Sequence, residues 1–558
     1  MNKIIIHLLF LSFLFPQLNT ETELEVRYGD SENDFNYSEV FVDSRFLFQN
    51  TDYMINGLLS FEQSYPPEIG LNENGLRKVL IGYYKDDFSV ELGDVYQTWG
   101  RGLILNQVDY QNLDFDTGSR GFNLLLDKNE YSINILYGDV SISQSTTVLG
   151  NYNPRKPNYF TNQSIYGFDY NKSFITSNYG ISFLAVENEN NTDDHFLSNI
   201  RLEKFYNKGE LYLSFAHKES QVDSQDFEQG NGFYLSNINS TDNWTFVTNY
   251  RRYRFNIQNP LNKGNIVNNH ARALDIQQSP TGYYQHNFKL LSRNSKQVNL
   301  NDEVGIELEF ARSFQNLNTL IINYIKSSST TGWHLDENGA WQRESLTKTF
   351  NNNNSLFPSN DKDSYPYDEI FIEFNGYNEN QRIFYTVGFD FLYDTFAVLS
   401  NSDLNESFEV KKVITIPLLM NISLNNKWNI EMQIEMQRAK KGFEIKNNNE
   451  SSFSSLFGSK YQYNNFLSFS ANYKQKWTFS FSHEVTNADE SLISENHNIN
   501  DLSNSWNSIS IAHRFDSDDS LQIFYGSVRG GLDCTNGVCR YIQSFDDGLR
   551  IDYTSNFN

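Results

Sequence analysis

The chain has 558 residues, a formal net charge of −25 at neutral pH and 15% aromatic residues. The acidic balance argues against a nucleic-acid-binding protein, which needs clustered lysine and arginine to displace the counterions of phosphate groups. The mean hydropathy of −0.57 does not exclude a membrane protein, because only every second residue of a membrane-spanning strand faces lipid.

A cationic start and a short apolar run open the chain. Lys3 precedes the apolar run 4–15, and Pro16 follows it. This is the layout of a secretory signal peptide, and the run is shorter than the roughly 20 residues that a membrane-spanning helix needs. We therefore expect a signal peptide at residues 1–20, cleaved between Pro16 and Glu21, and an exported domain over residues 21–558. A transmembrane anchor is the alternative.

Segments of about ten residues with strict two-residue alternation recur along the rest of the chain. In 430–437 every even position is apolar and every odd position is polar, and the same pattern appears in 306–310, 467–473 and 477–481. Alternating segments of this length are typical of strands that cross a bilayer at a tilt.

Tight polar turns join these segments in pairs, and longer connections separate the pairs. The turns lie at 85–87, 127–129, 207–209, 378–380, 425–427 and 516–519, and the longer connections at 256–281, 327–364, 439–460 and 487–503. A first strand at 23–28, about eleven hairpins and a last strand at 549–557 predict an all-β fold. It is a large antiparallel transmembrane β-barrel of about 24 strands, within about 22–26.

One segment, 283–291, does not fit this count. A single extra strand there would put the following long loops on the wrong side of the membrane. The segment therefore either pairs inside the barrel, or a neighbouring strand has been assigned wrongly.

The alternation breaks between residues 93 and 121, where five glycines, two arginines and several acids are concentrated. Glycine permits positive φ and close backbone approach, and arginine forms forked hydrogen bonds with carboxylates. We interpret the stretch as a loop folded into the lumen that narrows a pore or holds a ligand. A salt-bridged structural turn is the alternative. The candidate constriction or binding residues are Asp94, Arg101, Asp109, Asp114, Asp116 and Arg120.

Charged residues at predicted lumen-facing positions are mostly acidic. The acids are Glu91, Glu307, Glu309, Glu373, Glu431, Glu435 and Asp552, and the bases are Arg252, Arg254 and Arg550. A pore lined in this way favours cations, as rings of carboxylates do. Alternatively, these charges pair across the interior and fill it.

The two cysteines of the chain, Cys534 and Cys539, flank Asn536-Gly537. An exported chain meets oxidising conditions, and Asn-Gly favours a tight turn. We therefore predict a small disulfide loop at the outward end, before the last strand. A metal-binding or redox pair is the alternative, although the spacing is not that of a CxxC motif and no histidine cluster accompanies the cysteines.

The final segment carries apolar residues on one face, at Leu549, Ile551, Tyr553 and Phe557, and polar residues on the other. This pattern resembles the closing-strand signal that outer-membrane barrels present to their insertion machinery, although Asn558 follows Phe557. An ordinary amphipathic strand of a soluble β-protein is the alternative.

Three stretches together resemble an uncharacterised family of Bacteroidota outer-membrane proteins that carries a domain of unknown function. They are the run 93–121, the preceding Tyr65-Pro66-Pro67, and the terminal run 530–540 with both cysteines. The resemblance covers nearly the whole exported chain. It implies a barrel fold and an outer-membrane location, and it implies no catalytic residues.

No enzyme signature is present: the chain lacks HExxH, GxSxG, the P-loop and the dinucleotide-binding GxGxxG. The acidic residues near 114–116 lack the twelve-residue calcium loop. We therefore expect no enzyme activity, no cofactor and no metal.

The sequence favours a porin-like channel or scaffold with a constriction near 93–121. A surface receptor or adhesin that binds through its long outer loops is the second interpretation, and a secreted soluble β-protein is the third. The expected partners are outer-membrane lipid, the insertion machinery through residues 549–557, and a small solute or a surface ligand.

Overall fold

The structure is a computed structural model. It describes residues 18–32, 36–65, 74–110, 115–144, 159–188, 194–222, 226–255, 274–281, 284, 286–296, 298–314, 317–335, 341–343, 356–397, 407–445, 452–455, 461–487, 505–515, 519–535, 538–542 and 544–557.

Twenty-four antiparallel strands form a closed barrel. In chain order they are β1 Leu18–Asp30, β2 Tyr37–Gln49, β3 Met54–Tyr65, β4 Gly75–Lys85, β5 Phe88–Val95, β6 Ser119–Lys128, β7 Tyr131–Gln144, β8 Tyr159–Phe174, β9 Ser177–Asn188, β10 Asp194–Tyr206, β11 Gly209–Val222, β12 Asp226–Ser240, β13 Trp244–Arg254, β14 Glu303–Ser313, β15 Thr319–Ser328, β16 Tyr367–Tyr377, β17 Ile383–Ala397, β18 Ser407–Ser423, β19 Trp428–Ile445, β20 Gln462–Tyr473, β21 Trp477–Thr486, β22 Ser505–Arg514, β23 Ser520–Val528 and β24 Phe545–Phe557. Each strand pairs with the next along the chain, and β24 pairs with β1 from Thr22↔Phe557 to Asp30↔Leu549, which closes the ring.

Smaller elements lie outside this ladder of 24 strands. They are the two-stranded ribbons Asp109–Tyr110 with Phe115–Asp116, Trp333–Leu335 with Trp341–Arg343, and Gly531–Thr535 with Val538–Ile542; the strand Ser452–Ser455 beside β19; the one-turn α-helix Lys289–Ser292; and the 3-10 turn Lys362–Ser364. None of the helices among the described residues is long and apolar enough to span a membrane.

An apolar belt covers the outside of the barrel. It results from the two-residue alternation, because successive side chains of a strand point to opposite faces of the sheet. Exposed members of the belt include Ile81, Leu92, Phe122, Ile135, Phe168, Phe183, Phe215, Phe246, Phe389, Met436, Phe469, Phe481, Ile511 and Ile523. Such a belt is what the lipid-facing surface of an outer-membrane barrel presents.

Aromatic pairs gather at the end of the barrel that carries the tight turns. These contacts are Phe48–Tyr53, Tyr131–Tyr170, Phe174–Tyr179, Trp244–Phe310, Tyr377–Phe384, Trp428–Tyr473 and Trp477–His513. Aromatic girdles of this kind mark the boundary between hydrocarbon and water in membrane barrels. The turn end is therefore one membrane interface.

Two of the longer connections enter the lumen instead of extending outward. They join β5 to β6 and β13 to β14, and their described residues pack against the inner wall. The segment 283–291 belongs to the second connection. The sequence left open whether it pairs inside the barrel or a neighbouring strand was assigned wrongly, and its described residues are irregular apart from the one-turn helix Lys289–Ser292. Its apolar residues Tyr284, Phe288 and Leu291 pack inside the barrel, and the 24 strands of the wall are complete without this segment.

The cysteine ribbon agrees with the predicted tight turn as far as its backbone is described. Cys534 lies directly opposite Cys539 in the register of Gly531–Thr535 with Val538–Ile542. The two cysteine side chains lie outside the described part of the chain, so the disulfide stays a prediction.

Candidate functional site in the barrel lumen

The first inward segment, residues 96–110 and 115–118, descends from the rim toward the turn end of the lumen. Trp99 Nε1 donates a hydrogen bond of 2.9 Å to Asn134 Oδ1, only three residues into β7 from its turn. Arg101 forms ion pairs with Glu203, at 3.2 Å, and with Glu210, on either side of the turn between β10 and β11. The tip of the segment therefore lies close to the turn end of the barrel.

Two glycines allow the chain to reverse at this tip. Gly100 has φ +61° and Gly102 has φ +89°, a region that L side chains adopt at a cost. A Cβ at Gly100 would also lie 2.8 Å from Arg201 Cδ on the wall. The Trp-Gly-Arg-Gly sequence therefore combines one buried anchor, one charged anchor and the two flexible positions that the turn requires.

The second inward segment, residues 274–281, 284, 286–296 and 298–302, crosses the lumen beside the first. The amide of Asn106 donates a hydrogen bond of 2.7 Å to Ile276 O, and Gln277 Nε2 donates one of 3.2 Å to Leu103 O. The amide of Gln278 donates to Gly102 O at 3.2 Å. The two segments thus satisfy each other's backbone groups, as buried backbone requires.

An apolar core joins both segments to one side of the wall. The segments contribute Trp99, Leu103, Ile104, Leu105, Leu274, Ile276 and Leu300, and the wall contributes Leu136, Val140, Ile142, Ile165, Leu184, Val186, Leu197, Ala216 and Tyr253. These wall residues lie on β7 to β11 and on β13. This packing explains why the inner wall carries apolar residues, which an open lumen would expose to water.

Polar and charged contacts hold the second segment to the opposite side of the wall. His286 Nε2 lies 2.8 Å from Glu369 Oε1 of β16, and Lys296 Nζ lies 3.3 Å from Asp394 Oδ1 of β17. Glu435 of β19 accepts hydrogen bonds of 2.6 and 2.8 Å from the amides of Lys289 and Leu290.

A further contact on that side is an ion pair between Arg293 and Glu484 of β21, with Arg293 Nη2 and Glu484 Oε2 2.9 Å apart. Two small apolar clusters accompany these polar contacts: Phe288 and Leu291 pack against Phe371, and Tyr284 and Val298 pack against Ile325, Tyr367, Leu392, Val413 and Ala439. Because β10 and β21 are almost half the ring apart, contacts run without a break from Glu203 across both segments to Glu484. The lumen is bridged from wall to wall.

Four of the six candidate residues from the sequence gather at the rim above the first segment. Arg120 forms two hydrogen bonds with Asp94, at 3.0 and 3.1 Å, and the pair lies on the outward face of the short strands β5 and β6. Asp109 and Asp116 both form ion pairs with Lys78. A pocket of about 260 Å³ opens among these charges.

The other two candidates lie elsewhere. Arg101 pairs with Glu203 and Glu210 and not with any of the candidate aspartates, because it sits at the tip of the segment, far down the lumen. Asp114 lies outside the described residues.

Sequence reasoning missed several residues of the rim pocket, three of which hold the candidate aspartates. They are Arg77, which binds Asp109 at 2.9 Å, Lys78, and Tyr96, which donates to Asp116 at 2.9 Å. Burial and the neighbouring Asp116 and Asp109 raise the pKa of Tyr96 well above its ordinary value, so it remains a donor at neutral pH. The adjacent basic residues at 77–78 were the feature of the sequence that could have indicated partners for the candidate aspartates.

Acids that were predicted to face the lumen lie on the inner wall, and one prediction about its bases is wrong. Glu435 and Glu307 are buried on the inward face. In β13, however, Arg251 and Tyr253 are the buried residues, and Arg252 and Arg254 lie on the other face. Tyr253 resembles a lipid-facing residue in sequence, but it is inward because it packs against the second segment.

A family model for proteins of unknown function matches residues 36–557. The chain belongs to the DUF6029 family. This agrees with the expected uncharacterised family, and the bacterial group stays a prediction. Among curated proteins, none matches this DUF6029 chain.

Several solved outer-membrane proteins resemble the DUF6029 barrel at low sequence identity. The siderophore receptor PirA from Pseudomonas aeruginosa has a TM-score of 0.44 and 6% identity, with 97% of this chain and 81% of that chain covered. The outer membrane transporter YddB from Escherichia coli has a TM-score of 0.42 and 8% identity, with the coverage again 97% and 81%. The outer membrane protein OpdK from Pseudomonas aeruginosa has a TM-score of 0.38 and 11% identity, covering 73% of this chain and 100% of that chain. The resemblance is one of barrel architecture alone.

Proposed function

We propose that this protein is an exported outer-membrane barrel whose lumen is a gated passage for cations, closed by the two inward segments. The observation that carries the proposal is the bridging of the lumen by the chain's own connections between paired strands. Export through residues 1–20 and insertion through residues 549–557 belong to the same proposal. The apolar belt and the aromatic girdle support the membrane location over a secreted soluble protein.

The two sides of the bridge differ in what it costs to separate them. On the β7 to β11 side, separation exposes apolar surface at about 25 cal/mol per Å². On the β16 to β21 side, it separates two smaller apolar clusters together with ion pairs and hydrogen bonds, whose charged groups regain hydration when water enters. The second segment is therefore the better candidate for a gate. It would stay attached to the wall on the apolar side and separate from the wall on the charged side.

The acid excess of the inner wall supports cations as the permeating class. Glu307, Glu309 and Glu373 share the inward faces of β14 and β16, where no inward-segment cation pairs with them among the described residues. Carboxylates that line a pore lower the energy of cations in it.

The receptor interpretation depends on residues 327–364, of which 336–340 and 344–355 lie outside the described residues. It stays a prediction. Deletion of that loop, with binding of a surface partner as the readout, tests it separately from the gate.

Planar-bilayer conductance of the refolded protein tests the gate. Tyr253 pairs with Glu303 in adjacent strands, so residues 256–302 can be replaced by a four-residue Gly/Asn turn without changing the ladder. We expect the intact protein to conduct little and the shortened protein to form a steady, large pore.

The control replaces residues 398–406, between β17 and β18, by the same turn, and it is expected to conduct like the intact protein. Circular dichroism establishes that each variant keeps its strand content. A shortened protein that keeps its strands but leaves the bilayer sealed would overturn the proposal.

A further inference from the structure

The contact between the second inward segment and the wall contains a cluster of metal-binding side chains. His286 comes from the segment, Glu369 from β16 and Asp390 from β17, and one ligand atom of each lies within 4.8 Å of the others. They are 8%, 5% and 1% exposed, respectively. All three residues are therefore more than nine-tenths buried.

The strand register brings the two carboxylates together. Glu369 pairs with Leu392, and Asp390 pairs with Phe371, so the acids occupy diagonal positions on the same inward face. Diagonal neighbours on a sheet are within reach of each other's long side chains. His286 is held above them between the rings of Tyr284 and Phe371, whose centroids lie 5.0 and 4.5 Å from that of the imidazole.

The cluster retains unused ligand capacity. Glu369 accepts hydrogen bonds from Tyr367, at 2.6 Å, and from His286, at 2.8 Å. In contrast, Asp390 Oδ1 and His286 Nδ1 are buried without a hydrogen-bond partner in the described residues. A buried polar atom without a partner is costly, and two neighbouring buried carboxylates repel each other.

We propose that His286, Glu369 and Asp390 bind one divalent transition-metal ion inside the lumen. The donor set of one imidazole nitrogen and two carboxylate oxygens suits Zn²⁺ and its first-row neighbours. Ca²⁺ needs six to eight oxygen ligands and Mg²⁺ keeps most of its water, so neither matches this set. Three protein ligands leave at least one coordination position open for water or solute.

The ion would tie the second segment to the wall, since one ligand comes from the segment and two from the wall. This consequence rests on the proposed gate, whereas binding itself does not. Removing the ion should then raise the conductance of the intact protein.

Titration of the refolded protein with Zn²⁺, in competition with a chromogenic chelator, tests the site. We expect one tight ion per chain, and at least about a 10- to 100-fold loss of affinity in His286→Gln and in the isosteric Asp390→Asn. The matched control is His195→Gln, another buried inward histidine, whose hydrogen-bond partners among the described residues are Ser220 and Asn188. This variant is expected to bind Zn²⁺ like the natural sequence.

Co²⁺ gives a readout that needs no variant. The natural protein should show a visible absorption of nitrogen- and oxygen-coordinated Co²⁺ that Zn²⁺ displaces and Ca²⁺ and Mg²⁺ do not. Equal Zn²⁺ affinity in the natural protein and His286→Gln, or absence of the Co²⁺ absorption, would overturn the metal site. The conductance of the protein shortened at 256–302 is unaffected by that result, so the gate and the metal site can fail independently.

Discussion

Buried ion pairs between single residues link strands of the inner wall to one another. Arg201 Nη2 lies 2.7 Å from Asp169 Oδ1, both side chains are 6% exposed, and Arg201 also donates to Ser182 at 2.6 Å. Removing one partner of a buried pair leaves the other charge uncompensated. The pair also lies beside Gly100, at the tip of the first inward segment.

Replacing Arg201 by Met should lower the free energy of unfolding by about 3–5 kcal/mol, because Asp169 would then be buried without its cation. Denaturant unfolding of the protein in lipid vesicles measures the change. The control is Lys172→Met, which removes the exposed pair with Glu130. That variant should unfold like the natural protein, and equal losses in the two variants would contradict the expectation.

Residue-level contacts were the least predictable feature of the sequence. The pairing of Arg120 with an aspartate of the same stretch could be expected, because the two lie on adjacent strands. The partners of Arg101 could not, since Glu203 and Glu210 are about a hundred residues away. The Arg252 and Arg254 assignment was wrong because an apolar inner contact inverts the alternation on which it depended.

The two inward segments differ in how visible they are in the sequence. The first interrupts the regular alternation of apolar and polar residues with glycines and charged residues. This interruption predicted a loop folded into the lumen. The second was divided between a long connection at 256–281 and the segment 283–291, which did not fit the strand count and whose role was left open. Its apolar residues meet the first segment and the wall only in three dimensions, so no local pattern distinguishes them from a strand.

The shared apolar core predicts that the second segment depends on the first. Val95 pairs with Ser119, so residues 96–118 can be replaced by a short turn while the ladder is kept. Loss of Trp99, Leu103, Ile104 and Leu105 removes the surface on which Leu274 and Ile276 pack. We expect trypsin to cleave this variant at Lys289, Arg293 or Lys296, whereas these three sites should stay uncut in the natural protein.

The control for this digestion is the variant shortened at 398–406, which keeps the shared core and should remain protected. Equal protection with and without residues 96–118 would mean that the second segment is held by the wall alone.

At the scale of the whole molecule, the strand number and the closure were predicted correctly. Alternation and turns repeat over the entire barrel, so errors at single boundaries do not change the count. The first strand was expected at 23–28 and spans Leu18–Asp30, and the last was expected at 549–557 and spans Phe545–Phe557. What fills the barrel could not be predicted in the same way, because it depends on contacts between distant residues.

The charge of the whole lumen predicts ion selectivity once the gate is removed. Deleting residues 256–302 also deletes the cations Arg293 and Lys296, which leaves the acids of the wall without these partners. The reversal potential of this shortened protein in a KCl gradient should have the sign of a cation-selective pore. Replacing Glu307, Glu309 and Glu373 by Gln should move it toward zero.

Replacing three acids of the tight turns, Asp52, Glu130 and Glu379, by their amides serves as the control and should leave the potential nearly unchanged. A shift as large as that of the wall variant would assign the selectivity to the barrel mouth.

Each inward segment begins and ends at a pair of facing residues in adjacent strands of the wall. These pairs are Val95↔Ser119 for the first segment and Tyr253↔Glu303 for the second. The strands, and not the segments, therefore bring the segment ends together, and the entropy of loop closure grows by only about 0.6 kcal/mol for each doubling of loop length. Evolution can lengthen, shorten or exchange the contents of such a barrel without altering the registration of its wall. The same barrel wall can in this way accommodate many different lumen-filling segments.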